Sequence, residues 1–333
     1  MARAALRGRL SWQIAKVARV VDETARARTL ELDVREWAGH VAGQHLDVRL
    51  TAEDGYRAER SYSIASAPGE PVAITVERLD DGEVSPYLTE ELRDGDELEL
   101  RGPIGGYFVW NETNSGPLLL VAGGSGVVPL HAMLRHPRRS GSTVQTRLLY
   151  SARSIDDVIY RAELAEASSA VEVVQTLTRK QPEGWSGYAR RVDAGNARRS
   201  RVANRPGTTR VRLRPDELCR DGRVGVGRAR LRAGACEDRA LRSNGRVLMD
   251  ALDGNAIGGL LHDLFGGEMT TAASVCVHCG DARPVAELMV YVRAPGTVVR
   301  CRTCLGVLMV IVEARGIACV DLNGFAQLDA LRP

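Results

Sequence analysis

Four stretches of this chain place ligand-binding side chains at chemically meaningful spacings. The first is Arg60-Ser61-Tyr62-Ser63. An arginine can pair bidentately with a diphosphate. A tyrosine ring can stack on a planar isoalloxazine, and a serine hydroxyl one residue on can hydrogen-bond the ring edge. On a strand, Arg60 and Tyr62 share one face, so both can meet one ligand. Alone the tetrapeptide is weak, because a surface arginine beside a strand tyrosine is an ordinary arrangement. The second stretch, Gly82-Glu83-Val84-Ser85, is a glycine turn opening a short helix, whose N–H groups can hold phosphate oxygens. The third is Gly123-Gly124-Ser125-Gly126-Val127-Val128-Pro129, where glycines let a dinucleotide approach the backbone at a helix start. Between them lies Gly102-Pro103-Ile104-Gly105-Gly106-Tyr107-Phe108, a turn that closes the preceding strands. The ordered series is far more specific than any one member.

The fourth is a pair of knuckles, Cys276-Val277-His278-Cys279 and Cys301-Arg302-Thr303-Cys304, with 21 residues between them. Two CxxC pairs at this distance, each beside a strand, have the pattern of a zinc ribbon. Cys276, Cys279, Cys301 and Cys304 would close a tetrahedral shell, which makes the site structural rather than hydrolytic. A redox dithiol, or two disulfides, is the alternative for the same residues. His278 reads as filler and Cys319, on an apolar strand, as core. Cys219 and Cys236 fall in an irregular stretch and receive no role.

The elements that must position these residues follow from periodicity. Gln13–Val21, Thr29–Val34, His45–Leu50, Ser61–Ala65, Val72–Arg78 and Glu97–Arg101 alternate as short strands separated by turn residues, with a helical break at Ser85–Leu92. Six such strands predict an antiparallel Greek-key β-barrel over residues 1–110. From Pro117 the pattern changes to strand 118–122, a helix from about Pro129, strand 145–151, helix 155–167 and strand 171–177. This predicts an α/β doubly wound nucleotide-binding domain over 111–193, incomplete because no further βα unit is visible. Residues 194–248 are irregular and Arg-rich, with 15 arginines and no lysine. Order returns at 249–333, with a helix at Asn255–Phe265 and then short strands, forming the zinc-ribbon module.

Composition narrows the function classes. The chain has 333 residues and a net charge of +3, which gives no electrostatic reason to expect a nucleic-acid partner. The longest apolar run, Leu305–Val312, suits a buried strand and is too short to cross a membrane. The Arg-rich start lacks the apolar stretch of a signal peptide, and paired CxxC motifs suit a reducing compartment, so the expected location is cytoplasmic. Lys16 and Lys180 are the only lysines among 45 basic residues, an imprint of GC-rich coding.

On these motifs, residues 10–193 resemble the ferredoxin–NADP reductase superfamily. The resemblance implies that Arg60, Tyr62 and Ser63 bind the flavin, with Tyr62 and Ser63 at its reactive ring and Ser63 near N5. It implies that Gly82, Val84 and Ser85 hold the diphosphate. Gly123, Gly124, Ser125, Gly126 and Pro129 would form the nicotinamide dinucleotide loop, with Thr178 lining that pocket. Ser151 and Arg153 stand where some members hold a 2′-phosphate, which tilts the expectation slightly toward NADPH over NADH; a solvated charge is the alternative for Arg153. The implied cofactors are FAD, ahead of FMN, and NAD(P)H. The implied chemistry is hydride transfer to the flavin, then single-electron steps to an acceptor. A plant-type C-x4-C-x2-C spacing is absent, so the acceptor is expected to be a separate protein. Residues 249–333 resemble short uncharacterised bacterial zinc-ribbon proteins beginning with a helix like Asp250–Ala256, which implies Zn and no activity.

The superfamily's Cys-Gly-Pro turn and its terminal Glu-Arg-Phe-Gly are missing from the sequence as written. Back-translating Leu213–Asp221 and Glu237–Asn244 in GC-rich codons, and reading one base later, yields both motifs in order. In that frame Leu248-Met249 contains a stop. Residues 194–248 therefore read as out-of-frame, with a genuine Arg-rich linker as the alternative. Two functions follow: an NAD(P)H-dependent flavin reductase serving a separate acceptor, or a non-catalytic fusion whose competent module is a zinc ribbon that binds a protein partner.

Overall fold

The alternating segments form six antiparallel strands: β1 (Gln13–Thr24), β2 (Ala27–Val34), β3 (His45–Thr51), β4 (Arg57–Ser63), β5 (Val72–Glu77) and β6 (Glu97–Ile104). This is a computed structural model, and it describes residues 10–111, 117–140, 144–166, 170–192, 209–212, 251–293, 296–314 and 317–329. The strands run in the order β4-β3-β6-β1-β2-β5. An antiparallel bridge between Ile64 and Ile74 ties the two edges together, so the sheet closes on itself as the Greek-key reading requires. Alternate residues, among them Leu30, Leu46, Val48, Ile74 and Leu100, fill the interior. One wide helical turn, Tyr87–Glu91, plugs the barrel with Leu88.

The second layer system has parallel strands β7 (Leu118–Gly123), β8 (Thr146–Ala152) and β9 (Val171–Leu177), with helix α1 (Val127–Ser140) between the first two. The Leu-rich runs of β7 and β8 are buried on both faces, as central parallel strands must be. Two expectations are corrected here. A fourth strand, β10 (Thr209–Arg212), pairs in parallel with β7, so the sheet runs β10-β7-β8-β9 and gains a strand from the stretch read as irregular. Residues 193–208 and 213–250, including Cys219 and Cys236, lie outside the described residues.

The helix expected over 155–167 is also broken. A short turn, Ile155–Asp157, and α2 (Arg161–Ala165) replace it, because Tyr160 between them has φ of 60°. Tyr160 is held there by contacts from both domains. Its hydroxyl bonds Thr75 of β5 at 2.5 Å, its N–H donates to Glu23 at 3.2 Å, and its ring stacks on His131 at 3.9 Å. Local helix propensity loses to this joint.

The last third forms β11 (Leu252–Asp253), α3 (Gly258–Phe265), β12 (Ala273–Cys276), β13 (Ala282–Pro284), β14 (Met289–Arg293), β15 (Gly296–Arg300), β16 (Val307–Ala314), β17 (Ile317–Asp321) and β18 (Phe325–Asp329). They build a five-stranded sheet, β11-β14-β15-β16-β17, and a three-stranded one, β13-β12-β18. Leu261, Val285, Leu288, Val299 and Ile311 make a core of their own, which takes in Cys276 and Cys301. Cys319 falls on β17, where its side chain lies outside the described residues.

Candidate functional site

Strand β4 carries the first motif, and its pairing with β3 sets the register: Tyr62 stands opposite Leu46 and Ser63 opposite His45. The pleat sends Ser61 toward Asp47, to whose Oδ1 its hydroxyl donates at 2.6 Å. Arg60 and Tyr62 turn the other way. With Ser63, Thr75, Glu77, Gly82, Val84, Ser85 and Ser125 they line one cleft between the barrel and the start of the parallel sheet. The structure thus unites the Arg60 motif, the Gly82 turn and the glycine loop, which were separate in the chain. Tyr62 packs with the barrel core while lining that cleft.

Arg60 sits at the mouth. Its Nη2 donates to Glu83 Oε2 at 2.9 Å and its Nη1 to the Glu59 carbonyl at 2.8 Å. Both partners of the ion pair are open to solvent, at 39% and 51% exposure. Tyr56 donates to the other Glu83 oxygen at 2.9 Å, a bond that raises the phenol above its ordinary range. In the Gly82 turn the Ser85 hydroxyl accepts from Leu79 N–H at 3.0 Å, so that side chain first secures the turn. A Cβ on Gly82 would lie 2.9 Å from this hydroxyl, which explains the glycine.

The glycine loop Gly123–Gly126 lies at the carboxyl end of β7. Gly123 stands opposite Ser151, and Ser151 opposite Thr176, so Gly123 and Ser151 meet along one edge of the sheet. Thr178 reaches the same edge, its hydroxyl donating to the Ala152 carbonyl at 3.2 Å. Arg153 follows with its side chain exposed and its carbonyl accepting from Arg179 and Lys180 N–H at 2.9 and 3.1 Å. Gly124, Ser125 and Gly126 form a tight turn leading into α1, with Pro129 in the first turn of that helix. This is the crevice at which open parallel sheets take ligands.

Two lining residues escaped sequence reasoning. Glu77 Oε2 accepts from Ser125 N–H at 3.2 Å, which clips the barrel to the loop at a helix start. Thr75 bridges Thr29 at 2.8 Å and Tyr160. The available signal was Thr75 and a closing carboxylate, Glu77, in the otherwise apolar strand Val72–Glu77.

The knuckles bring four sulfurs within 4.8 Å of one another. Cys276 and Cys304 are 3.7 Å apart, as are Cys279 and Cys301. A tetrahedron with zinc–sulfur bonds of about 2.3 Å has edges of about 3.8 Å, whereas a disulfide needs about 2.05 Å. The spacing therefore fits a tetrahedral thiolate centre. Each knuckle turns back through a left-handed residue, Gly280 at φ 70° and Leu305 at φ 62°. Burial opposes ionisation of Cys276, but backbone N–H bonds from Cys279 and His278 outweigh it and lower the thiol to about 7. At Cys279 the Asp281 N–H favours the thiolate, yet desolvation and the three neighbouring sulfurs push it up to about 12. Four thiolates together thus call for a cation. Asp281 braces the centre by accepting from Thr303 Oγ1 at 2.7 Å and from Arg283 Nε at 2.7 Å.

Residues 12–109 match the family model of the oxidoreductase FAD-binding domain, and residues 120–207 that of the oxidoreductase NAD-binding domain. Residues 248–333 match a family of unknown function, DUF6510. Over 158 residues the chain is 39% identical to ferredoxin–NADP reductase B of Sorangium cellulosum, covering 46% of this chain and 63% of that protein. It is 35% identical over 153 residues to the glycine betaine monooxygenase reductase subunit of Chromohalobacter salexigens, covering 44% and 41% respectively. The chain therefore spans between two fifths and two thirds of these relatives. The cytochrome b5 reductase domain of Ulva prolifera nitrate reductase shares the fold, with a TM-score of 0.53 at 20% identity over 60% of this chain and 86% of that domain. The out-of-frame reading of 194–248 finds no support here, since the NAD-binding match continues to residue 207 in the frame as written.

Proposed function

We propose, for a chain whose residues 12–207 belong to the ferredoxin–NADP reductase-like family, the role of an NAD(P)H-dependent flavoprotein reductase serving a separate acceptor protein. The observation that carries this reading is the single cleft shared by Arg60, Tyr62, Ser63, the Gly82 turn and Ser125. FAD fits it better than FMN, because the Gly82 turn and the Arg60 guanidinium stand together at its mouth, where a diphosphate would lie. When bound, FAD supplies the exchange between a two-electron hydride donor and one-electron acceptors. The chain's own residues position it. Arg60 exchanges the Glu83 carboxylate for a diphosphate, and the N–H groups at Val84 and Ser85 face the same anion. Tyr62 offers an aromatic wall, and Ser63 a hydroxyl at the inner end of the strand.

NAD(P)H enters over Gly123–Gly126, with Thr178 beside the nicotinamide and Ser151 and Arg153 at the ribose end; the last two favour NADPH over NADH. In the last third, Cys276, Cys279, Cys301 and Cys304 hold zinc as a structural ion. We divide the chain into a flavin barrel over 1–110, a nucleotide domain from 111, whose sheet also holds β10, and a cysteine module over 249–333. Among the described residues no helix is long and apolar enough to cross a membrane. We place the chain in the reducing cytoplasm, where four thiols stay open to metal.

The test is the visible spectrum of the purified chain with and without NADPH or NADH. A yellow protein that bleaches on reduction is the expected result. A colourless protein carrying one zinc would overturn the reading in favour of a non-catalytic chain.

A further inference from the structure

We infer that the cysteine module is a docked subunit of the flavin barrel: residues 254–287 bind the outer face of β3 and β6 through an interface that holds without any covalent connection between the two parts.

The first ground is close fit. Helix α3 opens with Gly258-Gly259, and glycine is a poor helix former. Their use is proximity. A Cβ on Gly259 would collide with the Asp47 carboxylate and stand 3.0 Å from Arg101 Nη2, while one on Gly258 would press on Ile104 at 3.2 Å. The helix backbone thus lies directly on the barrel.

The second ground is charge. Arg101 is 10% exposed and Asp47 11%, and they pair at 3.0 Å through Nε and Oδ2. The other end of the guanidinium, Nη1, pairs with Asp263 of α3. A buried guanidinium is costly unless its donors are met, and among the described residues Nη1 is met only from the module. The third ground is the turn after β6. Gly105 N–H donates to Glu268 at 3.1 Å, Gly106 N–H to Thr270 at 3.4 Å, and Tyr107 O–H to Glu287 at 2.5 Å. Three successive residues of the barrel thus take their partners from the module. Finally, the barrel and the module have cores with no shared residue, so each side brings a preformed surface.

The experiment uses the full chain with a protease recognition sequence inserted within 213–250. The zinc-loaded protein is cut and run on a sizing column near neutral pH. The expected result is that both fragments elute together at the volume of the uncut chain, one to one. Asp263→Asn, which takes a charged partner from the buried Arg101 guanidinium, should weaken that association by about tenfold or more, and Gly259→Leu should weaken it at least as much because its side chain collides with Asp47 and Arg101. Separate elution of two fragments that both remain folded by circular dichroism would overturn the inference. Co-elution indifferent to both substitutions would overturn it as well, since another surface would then be responsible. Neither outcome depends on whether the chain oxidises NAD(P)H.

Discussion

Glu83 occupies the guanidinium that a diphosphate would need, so removing its charge should tighten flavin binding. The pair is 2.9 Å long but both side chains are well exposed. Exposed pairs of this kind are worth about 0.2–1 kcal/mol. Glu83→Gln should therefore lower the FAD dissociation constant by a factor of about 1.4 to 5. The amide oxygen can still accept from Tyr56, so the turn is kept. Arg60→Met removes the cation itself. A charge-assisted bond to phosphate contributes about 1.5–3 kcal/mol, so the dissociation constant should rise roughly 10- to 150-fold. In the double variant the Glu83 effect should vanish, because there is no guanidinium left to compete for. The assay is titration of flavin-depleted protein with FAD, followed by quenching of flavin fluorescence. Salt supplies a second axis: near 1 M the gain from Glu83→Gln should fade, as screening shortens to about 3 Å. Weaker binding by Glu83→Gln, or an Arg60→Met protein within about threefold of the parent, would refute the assignment of Arg60 to the diphosphate.

Three further outcomes follow from the same geometry. Leu305 is 54% exposed and holds the left-handed position that Gly280 fills in the other knuckle; Leu305→Gly should relieve about 1–2 kcal/mol of strain, less the glycine's added chain entropy, and tighten metal retention about two- to fivefold in chelator competition. Arg101→Met leaves Asp47 buried with Ser61 its one remaining bonded partner among the described residues; losing a buried partner costs about 3–5 kcal/mol, so the barrel's thermal midpoint should fall sharply, and adding Asp47→Asn should recover part of the loss. His45 is half-buried, with its Nε2 atom buried and unpartnered among the described residues, and desolvation outweighs Asp47 and Glu268 to hold its pKa below 6.5. Above 6.5 neither the folded nor the unfolded state binds the proton; below it the unfolded state binds first, so stability is full above 6.5 and declines as the pH falls toward the folded value. Unfolding midpoints measured from pH 7.5 down to 5.5 should therefore drop, and His45→Gln should flatten the drop.

The barrel strands were legible because each has one face in the core, so alternation appears directly in the residues from Gln13 to Arg101. The cysteine knuckles were legible because metal chemistry fixes their spacing. The Arg60 motif and the Gly82 turn were legible as separate signals, but only folding shows that they share a cleft with Ser125. What stayed hidden depends on distance. Arg101 and Asp263 are 162 residues apart, and nothing local marks either as more than a surface charge. Tyr160 lies within a helical pattern, and its left-handed backbone is imposed by Thr75 and His131 from outside that segment. Strand β10 consists of Thr209, Arg210, Val211 and Arg212, too short and too basic to announce itself; its pairing with β7 is what makes it a strand.

Asp47 has two oxygens and two obligations. Oδ1 accepts from Ser61, the residue between Arg60 and Tyr62, and Oδ2 accepts from Arg101, which reaches on to Asp263 in the cysteine module. The strand that lines the proposed flavin cleft and the helix of the cysteine module are thus linked through one carboxylate and one guanidinium. Thermodynamics then imposes reciprocity on whatever passes between them. If filling the cysteine centre changes flavin affinity by some factor, filling the flavin cleft must change metal affinity by the same factor. Four titrations, each ligand with and without the other, form a closed square, and the common ratio measures how much of one site's occupancy the other can sense.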